Sequence, residues 1–268
     1  MASARTIKKP AKKPAAQPVV AKPTAARMSL DEVMRVLEKA GTVQTKKTYA
    51  RHGAKEPMFG VLFGTLKVLL DRIGIDQELA LELWSTKNQD ARNLAMKIAD
   101  PAKIRSADLD RWAKENTMRM CGAYIASLAA ESPHAAAKVK DWLASSDEEL
   151  RAYGWTLIAQ LANLDGKSPD DSFAKRLAQI EKTIHSSSSV ERGAMNGALI
   201  AIGGRSAALR KLATAAAKRI GPVEVDHGDT ACTTPDAVTY IGKLWERAKK
   251  FDSPAAAERA RESMRTRC

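Results

Sequence analysis

One stretch of the sequence concentrates side chains that could do chemistry. Residues 223–237 read VEVDHGDTACTTPDA and bring Asp226, His227, Asp229 and Cys232 close together. Carboxylate, imidazole and thiolate groups are metal ligands, although this spacing fits no standard zinc pattern. A Cys–His pair could also form a nucleophile and its base. The third interpretation is a hydrogen-bonded loop in which both aspartates accept from backbone amides and His227 orients a neighbour. These residues alone leave its role open.

Basic side chains at predicted helix ends could contact nucleic-acid phosphates. Arg51 and His52 precede a glycine in a predicted turn. Lys87 and Arg92 flank a predicted helix start at Asn88, which is a good N-cap residue. Such residues bind the phosphate backbone and position a protein on DNA. The alternative for Arg51 and His52 is a basic turn in solvent.

Aromatic and basic residues are mixed between positions 112 and 155. Trp112, Arg119, Arg151 and Trp155 lie in this stretch. Arginine pairs with phosphate, and an aromatic face can stack on a base. Helix packing is the alternative for Trp155, because large aromatic rings also fill cores.

A second basic position follows on a predicted helix. Arg192 and Asn196 are four residues apart and therefore project from the same helix face. Asn196 lies among apolar residues and needs a hydrogen-bond partner if it is buried.

The elements that must position these residues are helices. Residues 29–32 and 146–149 match the capping-box pattern. Proline follows a capping hydroxyl residue at 168–169, 234–235 and 253–254, as expected at helix starts. Apolar residues between the caps recur with helical spacing, for example over 59–73. We predict about a dozen short helices and no strands.

Many short helices in succession indicate an all-α protein, a HEAT-like α-solenoid of antiparallel helix pairs (an α-α superhelix). A compact helical bundle is the alternative, since the repeats share a rhythm rather than a motif. A solenoid would offer a concave surface to an elongated partner. We predict a repeat domain over 28–250 and a helical C-terminal extension over 251–268.

The charge of the chain favours a polyanionic partner. The formal net charge is +13, and residues 1–27 hold seven positive charges and no acid among several prolines. This tail is predicted to be disordered. It could be a non-specific DNA-binding arm, a solubilising extension or a transit peptide. A basic surface without any such partner is the alternative for the charge as a whole.

Cysteine content and hydropathy suggest a location. Cys121, Cys232 and Cys268 are far apart and form no paired framework, which fits a reducing compartment. No apolar run is long enough for a membrane span, and no secretory signal is visible. We therefore expect a cytoplasmic protein that does not bind membranes.

Several of these motifs together resemble the DNA alkylation repair family. The resemblance covers most of residues 29–245 and rests on segments 49–54, 59–64, 83–95, 194–203 and 223–237. It implies HEAT-like repeats and a basic concave groove that holds double-stranded DNA, with or without alkylation damage. Characterised members are DNA glycosylases that release cationic N3- and N7-alkylpurines without a metal or other cofactor. We expect a monomer associated with the nucleoid.

The family's catalytic pattern is only partly matched. It combines a Trp followed by an Asp on one helix, an Arg at the start of a later helix and a further aromatic residue. Arg151 fits the arginine, whereas residues 118–122 read MRMCG where the carboxylate is expected. Glu115 is the nearest acid, so the implied site is Arg151, Trp112, Glu115 and Trp155. The alternatives are a DNA-structure binder without catalysis and a helical protein–protein scaffold.

Overall fold

The computed structural model describes residues 27–266, which form helices and contain no β-strand. The prediction of an all-α protein is confirmed. Fourteen α-helices occupy this range: α1 (Leu30–Ala40), α2 (Val43–Arg51), α3 (Phe63–Ile73), α4 (Gln77–Ser85), α5 (Gln89–Ile98), α6 (Ser106–Glu115), α7 (Gly122–Glu131), α8 (Ala135–Leu143), α9 (Glu148–Leu164), α10 (Asp170–Thr183), α11 (Ser189–Gly203), α12 (Ala207–Ile220), α13 (Ala237–Arg247) and α14 (Pro254–Arg259). Two 3₁₀ turns add Arg119–Cys121 and Ile184–Ser186.

The predicted tail lies outside the described residues, except for Arg27, and so does Cys268. Arg27 pairs with Asp76 at 2.6 Å and with Glu78 at 2.9 Å. Within 27–266, no helix combines the length and apolar character needed to cross a bilayer.

Several helix starts follow the predicted capping chemistry. The capping box of α1 is present, with the Ser29 amide donating to Glu32 at 2.8 Å. Asn88 accepts from the first amides of α5, and Ser253 caps α14 ahead of Pro254. Each cap satisfies amides that have no partner inside the helix.

Three predicted starts are displaced toward an aspartate. Asp147 rather than Ser146 caps α9, and Asp236 rather than Thr234 caps α13. Helix α10 begins at Asp170, so Pro169 precedes the first helical residue instead of being that residue. At α9 and α13, a carboxylate nearer the first turn takes the capping position from the hydroxyl.

The helices form two layers. Helices α5, α7, α9, α11 and α13 contact one another in that order and form the inner layer. Helices α4, α8, α10 and α12 each pack against an inner helix and lie in the outer layer. Two apolar cores meet at α9, with Leu157 in the first core and Ile158 in the second.

The chain after α13 returns across the C-terminal ends of the inner helices. The Ala255 amide donates to Gly204 O at 3.1 Å, at the end of α11. The Arg259 guanidinium donates to Asn163 O at 3.1 Å, near the end of α9. Such donors satisfy carbonyls that helix ends leave open.

Farther along, Arg265 joins the ends of α5 and α7. Its Nη1 donates to Lys97 O at 2.6 Å, and its Nε donates to Glu131 at 3.1 Å. The buried Lys97 ammonium in turn donates to Arg265 O at 3.0 Å and lies 4.1 Å from the Tyr124 ring centroid. The C-terminal segment therefore ties the second half of the protein to the first, at the edge opposite the N-terminal ends of these helices.

Candidate nucleic-acid interface

The N-terminal ends of the inner helices lie along one edge. Asn93, in the first turns of α5, donates to Met118 Sδ at 3.7 Å, just before α7. Gly122 begins α7 and packs against Tyr153 near the start of α9. Arg151, in the first turn of α9, pairs with Glu191 in the first turn of α11. These contacts join corresponding ends, and we call this row of helix starts the N-terminal edge.

Most of the predicted DNA-binding residues lie on the N-terminal edge. Helix starts carry a partial positive charge and unpaired amides, which favour anions. Lys87 is exposed ahead of α5, and Arg92 and Arg192 lie in the first turns of α5 and α11. The Arg119 side chain is outside the described part of the structure.

The end of α2 reaches the same edge through a glycine. Gly53 has φ +88°, and a Cβ there would lie 2.6 Å from Thr117 O. Only glycine permits this approach of the two backbones. It places the exposed Arg51 and the half-buried His52 beside the chain segment that leads into α7.

Arg92, Trp112 and Glu115 are brought together in one cluster. Trp84 and Trp112 stack with ring centroids 4.3 Å apart, and the Arg92 guanidinium lies 4.7 Å from the Trp84 centroid. Glu115 Oε2 accepts from Trp84 Nε1 at 2.8 Å and from Arg92 Nη2 at 2.7 Å. Burial lowers the pKa of Arg92, and the charge of Glu115 opposes that shift. Trp112 has no exposed surface.

All three guanidinium nitrogens of Arg151 are hydrogen-bonded at the start of α9. Its Nε and Nη2 donate to Glu191 at 2.8 and 2.9 Å, and its Nη1 donates to the carbonyls of Ser145 and Ser146 at 3.0 and 2.9 Å. Hydrogen bonding to Glu191 raises the pKa of Arg151. Burial alone would raise the pKa of Glu191, but the hydrogen bonds and charge of Arg151 hold that pKa below its usual value. Trp155, one turn later, is 2% exposed and belongs to the second core.

Gly122 is the last residue of the run 118–122, in which the resemblance leads us to expect a carboxylate. A Cβ on Gly122 would lie 3.4 Å from Tyr153 Cε1 and from its hydroxyl, so the tyrosine ring borders this position. The Tyr153 hydroxyl accepts from Asn116 Nδ2 at 2.7 Å. The preceding Cys121 is buried, and burial raises the pKa of its thiol to about 12. That thiol is not poised as a nucleophile.

The segment 223–237 is a hydrogen-bonded loop between α12 and α13. Asp226 Oδ1 accepts from the Gly228 amide at 2.8 Å, and His227 Nε2 lies 3.0 Å from Thr234 Oγ1. Thr230 Oγ1 donates to His227 O at 2.9 Å. Asp229 is exposed. Among residues 27–266, no group of three or more His, Cys, Asp or Glu side chains is arranged to hold a metal ion.

The loop is attached to α11 at the N-terminal edge. The Asp226 amide donates to Ser189 Oγ at 2.7 Å. Asn196 is 3% exposed and donates to Pro235 O at 2.9 Å, which supplies the partner that its burial demands. Arg192 is half-buried, and its Nε has no acceptor among the described residues.

Two acidic residues, Glu191 and Asp90, hold this edge together through partners that the sequence did not predict. Glu191 is 40 positions from Arg151, and no sequence pattern connects them. Asp90 is fully buried and accepts from the amides of residues 59, 60 and 61 at 2.6, 3.0 and 2.8 Å. Asp90 also lies in the first turn of its own helix, where its charge complements the helix start. The available sequence signal for Asp90 was its position as an acid just after the Asn88 N-cap.

An all-helical chain with aligned helix starts and a basic edge defines a helical-repeat protein suited to polyanions. Residues 33–241 match the family model described as DNA alkylation repair enzyme. The chain therefore belongs to the DNA alkylation repair family.

Individual relatives agree with this assignment. One solved structure, 33% identical with a TM-score of 0.75, covers 85% of this chain and 98% of its own. It is described as representing a new family of proteins related to the HEAT-like repeat DNA glycosylases with affinity for branched DNA structures. The HEAT-like prediction is confirmed by this likeness.

Two uncharacterized Listeria proteins are also similar. Lmo0209 of Listeria monocytogenes is 29% identical over 82% of this chain and 97% of its own length. Lin0241 of Listeria innocua is 29% identical over 81% of this chain and 96% of its own length.

Proposed function

We propose that this protein binds DNA along the N-terminal edge, prefers branched DNA to continuous duplex, and acts without cleaving the N-glycosidic bond. Membership of the DNA alkylation repair family and the branched-DNA affinity of the solved relative support a DNA partner. We propose further that it works as a monomer on nucleoid DNA in the cytoplasm.

The observation that carries this proposal is the row of cations at aligned helix starts. Lys87, Arg92, Arg151 and Arg192 lie at helix starts, where the helix dipoles also favour phosphate, and Arg51 lies beside them at the end of α2. The buried Nε of Arg192 has no hydrogen-bond acceptor among the described residues. Arg92 and Arg151 are already paired with Glu115 and Glu191, so a phosphate would have to bind the N–H groups that these carboxylates leave free. The net charge of +13 adds long-range attraction.

The glycosylase alternative rests on Glu115. Its side chain is 40% exposed, and it is the acid that the cluster with Arg92 places at the N-terminal edge. Gly122 offers no carboxylate to stabilise a developing sugar cation, and that type of stabilisation is usually a large catalytic term. Glu115 already accepts from Trp84 and Arg92, which favours a structural role.

DNA binding is tested by fluorescence anisotropy over a salt series. A three-way junction and a duplex of equal length are compared for the wild type, Lys87→Gln and Lys103→Gln. Lys103 is the matched control, because it is 72% exposed but follows the C-terminal end of α5. We expect tighter junction binding, and a salt slope that Lys87→Gln lowers by about one for a single lost phosphate contact. Lys103→Gln should leave the slope unchanged.

Absence of binding at low salt would contradict any DNA function. Equal affinity for junction and duplex would contradict the preference for branched DNA. Release of 7-methylguanine from alkylated DNA in a single turnover, abolished by Glu115→Gln, would establish the glycosylase alternative instead.

A further inference from the structure

Met120 is an apolar side chain in the middle of the cationic N-terminal edge. It is 45% exposed and lies in the 3₁₀ turn that leads into α7. Neither the folded core nor phosphate binding requires an exposed methionine there. An exposed apolar group within a basic surface has bases, rather than phosphates, as its natural counterpart on DNA.

The turn presents Met120 on a fixed backbone. Met118 and Cys121 on either side are fully buried. Met118 O accepts from the Cys121 amide at 2.9 Å and from Asn116 Nδ2 at 3.2 Å. Little ordering is therefore needed when this segment meets a ligand, which lowers the entropic cost of binding.

Cations lie near this turn. The close approach of Gly53 to Thr117 brings the end of α2, with Arg51, beside the segment that leads into the turn. The hydrogen bond from Asn116 to Tyr153 brings the start of α9, with Arg151, beside the same segment. Phosphates bound by these cations would place nucleotides next to Met120.

A continuous duplex hides the faces of its bases by stacking, whereas a branch point exposes them. Proteins that bind distorted DNA frequently insert apolar side chains, methionine among them, against unstacked base steps. Resting on the DNA-binding function proposed above, we propose that Met120 packs against the unstacked bases of a branch point and is a determinant of the preference for branched DNA.

The test compares Met120→Ala with Leu212→Ala. Leu212 is a matched control, because it is 49% exposed but lies on the outer helix α12. Junction and duplex affinities are measured by anisotropy at several salt concentrations. About half of the Met120 side chain is exposed in the free protein and would be buried against the bases. Losing that apolar contact in Met120→Ala should weaken junction binding about fivefold. Duplex binding should change less than twofold, because a continuous duplex offers no exposed base face for Met120 to pack against.

Two further observations distinguish an apolar contact from an electrostatic one. The salt slope should be the same in Met120→Ala as in the wild type, because no phosphate contact is lost. Met120→Leu should retain junction affinity, whereas Met120→Gln should lose it as Met120→Ala does. A 2-aminopurine at the branch point should report a fluorescence change on binding that Met120→Ala abolishes.

The inference is overturned if Met120→Ala leaves junction binding unchanged, or weakens junction and duplex equally. In either case the wild type still binds DNA and the proposed function stands. If the wild type binds no DNA, the proposed function fails, and this inference fails with it.

Discussion

Substitution of Arg151 by Met, alone and together with Glu191→Gln, would separate the two roles that this side chain can have. In the folded protein, Arg151 links the start of α9 to Glu191 on α11. It is also a candidate phosphate contact on the N-terminal edge. A single substitution changes both roles at once, whereas the pair Arg151→Met and Glu191→Gln distinguishes them.

The structure sets the magnitude of the stability loss. Arg151→Met would strand the Glu191 carboxylate, whose side chain is only 7% exposed, and leave the carbonyls of Ser145 and Ser146 without a donor. Removing one member of a buried ion pair costs about 3–5 kcal/mol. Because the Arg151 side chain is 28% exposed, we expect the lower end, about 3 kcal/mol. That corresponds to a Tm lower by about 6–12 °C for a domain of this size.

The double variant should recover most of this loss. With Glu191→Gln no charge is left buried, and replacing both partners of a pair costs much less than removing one. Urea denaturation of the wild type, both single variants and the double variant provides the coupling energy. Equal stability of Arg151→Met and the wild type would refute this reasoning, and so would a double variant no more stable than Arg151→Met.

The pH dependence follows from the depressed pKa of Glu191. A carboxylate with a lower pKa in the folded state stabilises the protein at pH values above its ordinary pKa, about 4.3. That contribution disappears as the pH falls through the lower, folded-state pKa. The stability advantage of the wild type over the double variant should therefore be constant near neutral pH and shrink below about pH 4.

The same double variant tests DNA binding on an intact scaffold. If Arg151 also contacts a phosphate, the double variant should show a salt slope lower by about one than that of the wild type. If the slope is unchanged, Arg151 acts only in the fold.

Three other substitutions have defined outcomes. Asp90→Asn should lower the free energy of unfolding by about 3 kcal/mol in urea titrations, because three amides lose a charged acceptor; a change below about 1 kcal/mol would contradict that role. Arg265→Ala should speed limited proteolysis beyond residue 252 without altering the DNA salt slope, and unchanged digestion would argue against the tie between Arg265 and Lys97. Gly122→Asp should fold but release no 7-methylguanine in a single-turnover assay, because its carboxylate must share space with Tyr153; release would show that this position alone limits catalysis.

Helix starts could be predicted where a cap depends on neighbours within the same turn. Ser29, Asn88 and Ser253 cap the predicted helices for this reason. The prediction shifted where two capping residues compete, because the sequence does not show which oxygen reaches the free amides. At α13, for example, Asp236 caps the helix instead of the predicted Thr234.

The partners across the N-terminal edge could not be predicted, because they depend on how distant helices stack. Arg151 and Glu191 are 40 positions apart, and Lys97 and Arg265 are 168 apart. Aromatic residues near arginines are similarly ambiguous in a sequence, since they suit both a groove and a core. Trp112 and Trp155 both lie in the cores.

The run 118–122 lacks the carboxylate of the family pattern, whereas Arg151 matches its arginine. A carboxylate at the start of α7 would oppose the positive charge of the N-terminal edge and stabilise a cationic base and sugar. Gly122 leaves that helix start with its amides and no acid, an arrangement that favours phosphate over a cationic alkylpurine. The same turn anchors Met118 in the core and exposes Met120. In the function proposed above, an edge without this acid holds DNA rather than reacting with it, and the exposed Met120 is proposed to distinguish unstacked bases.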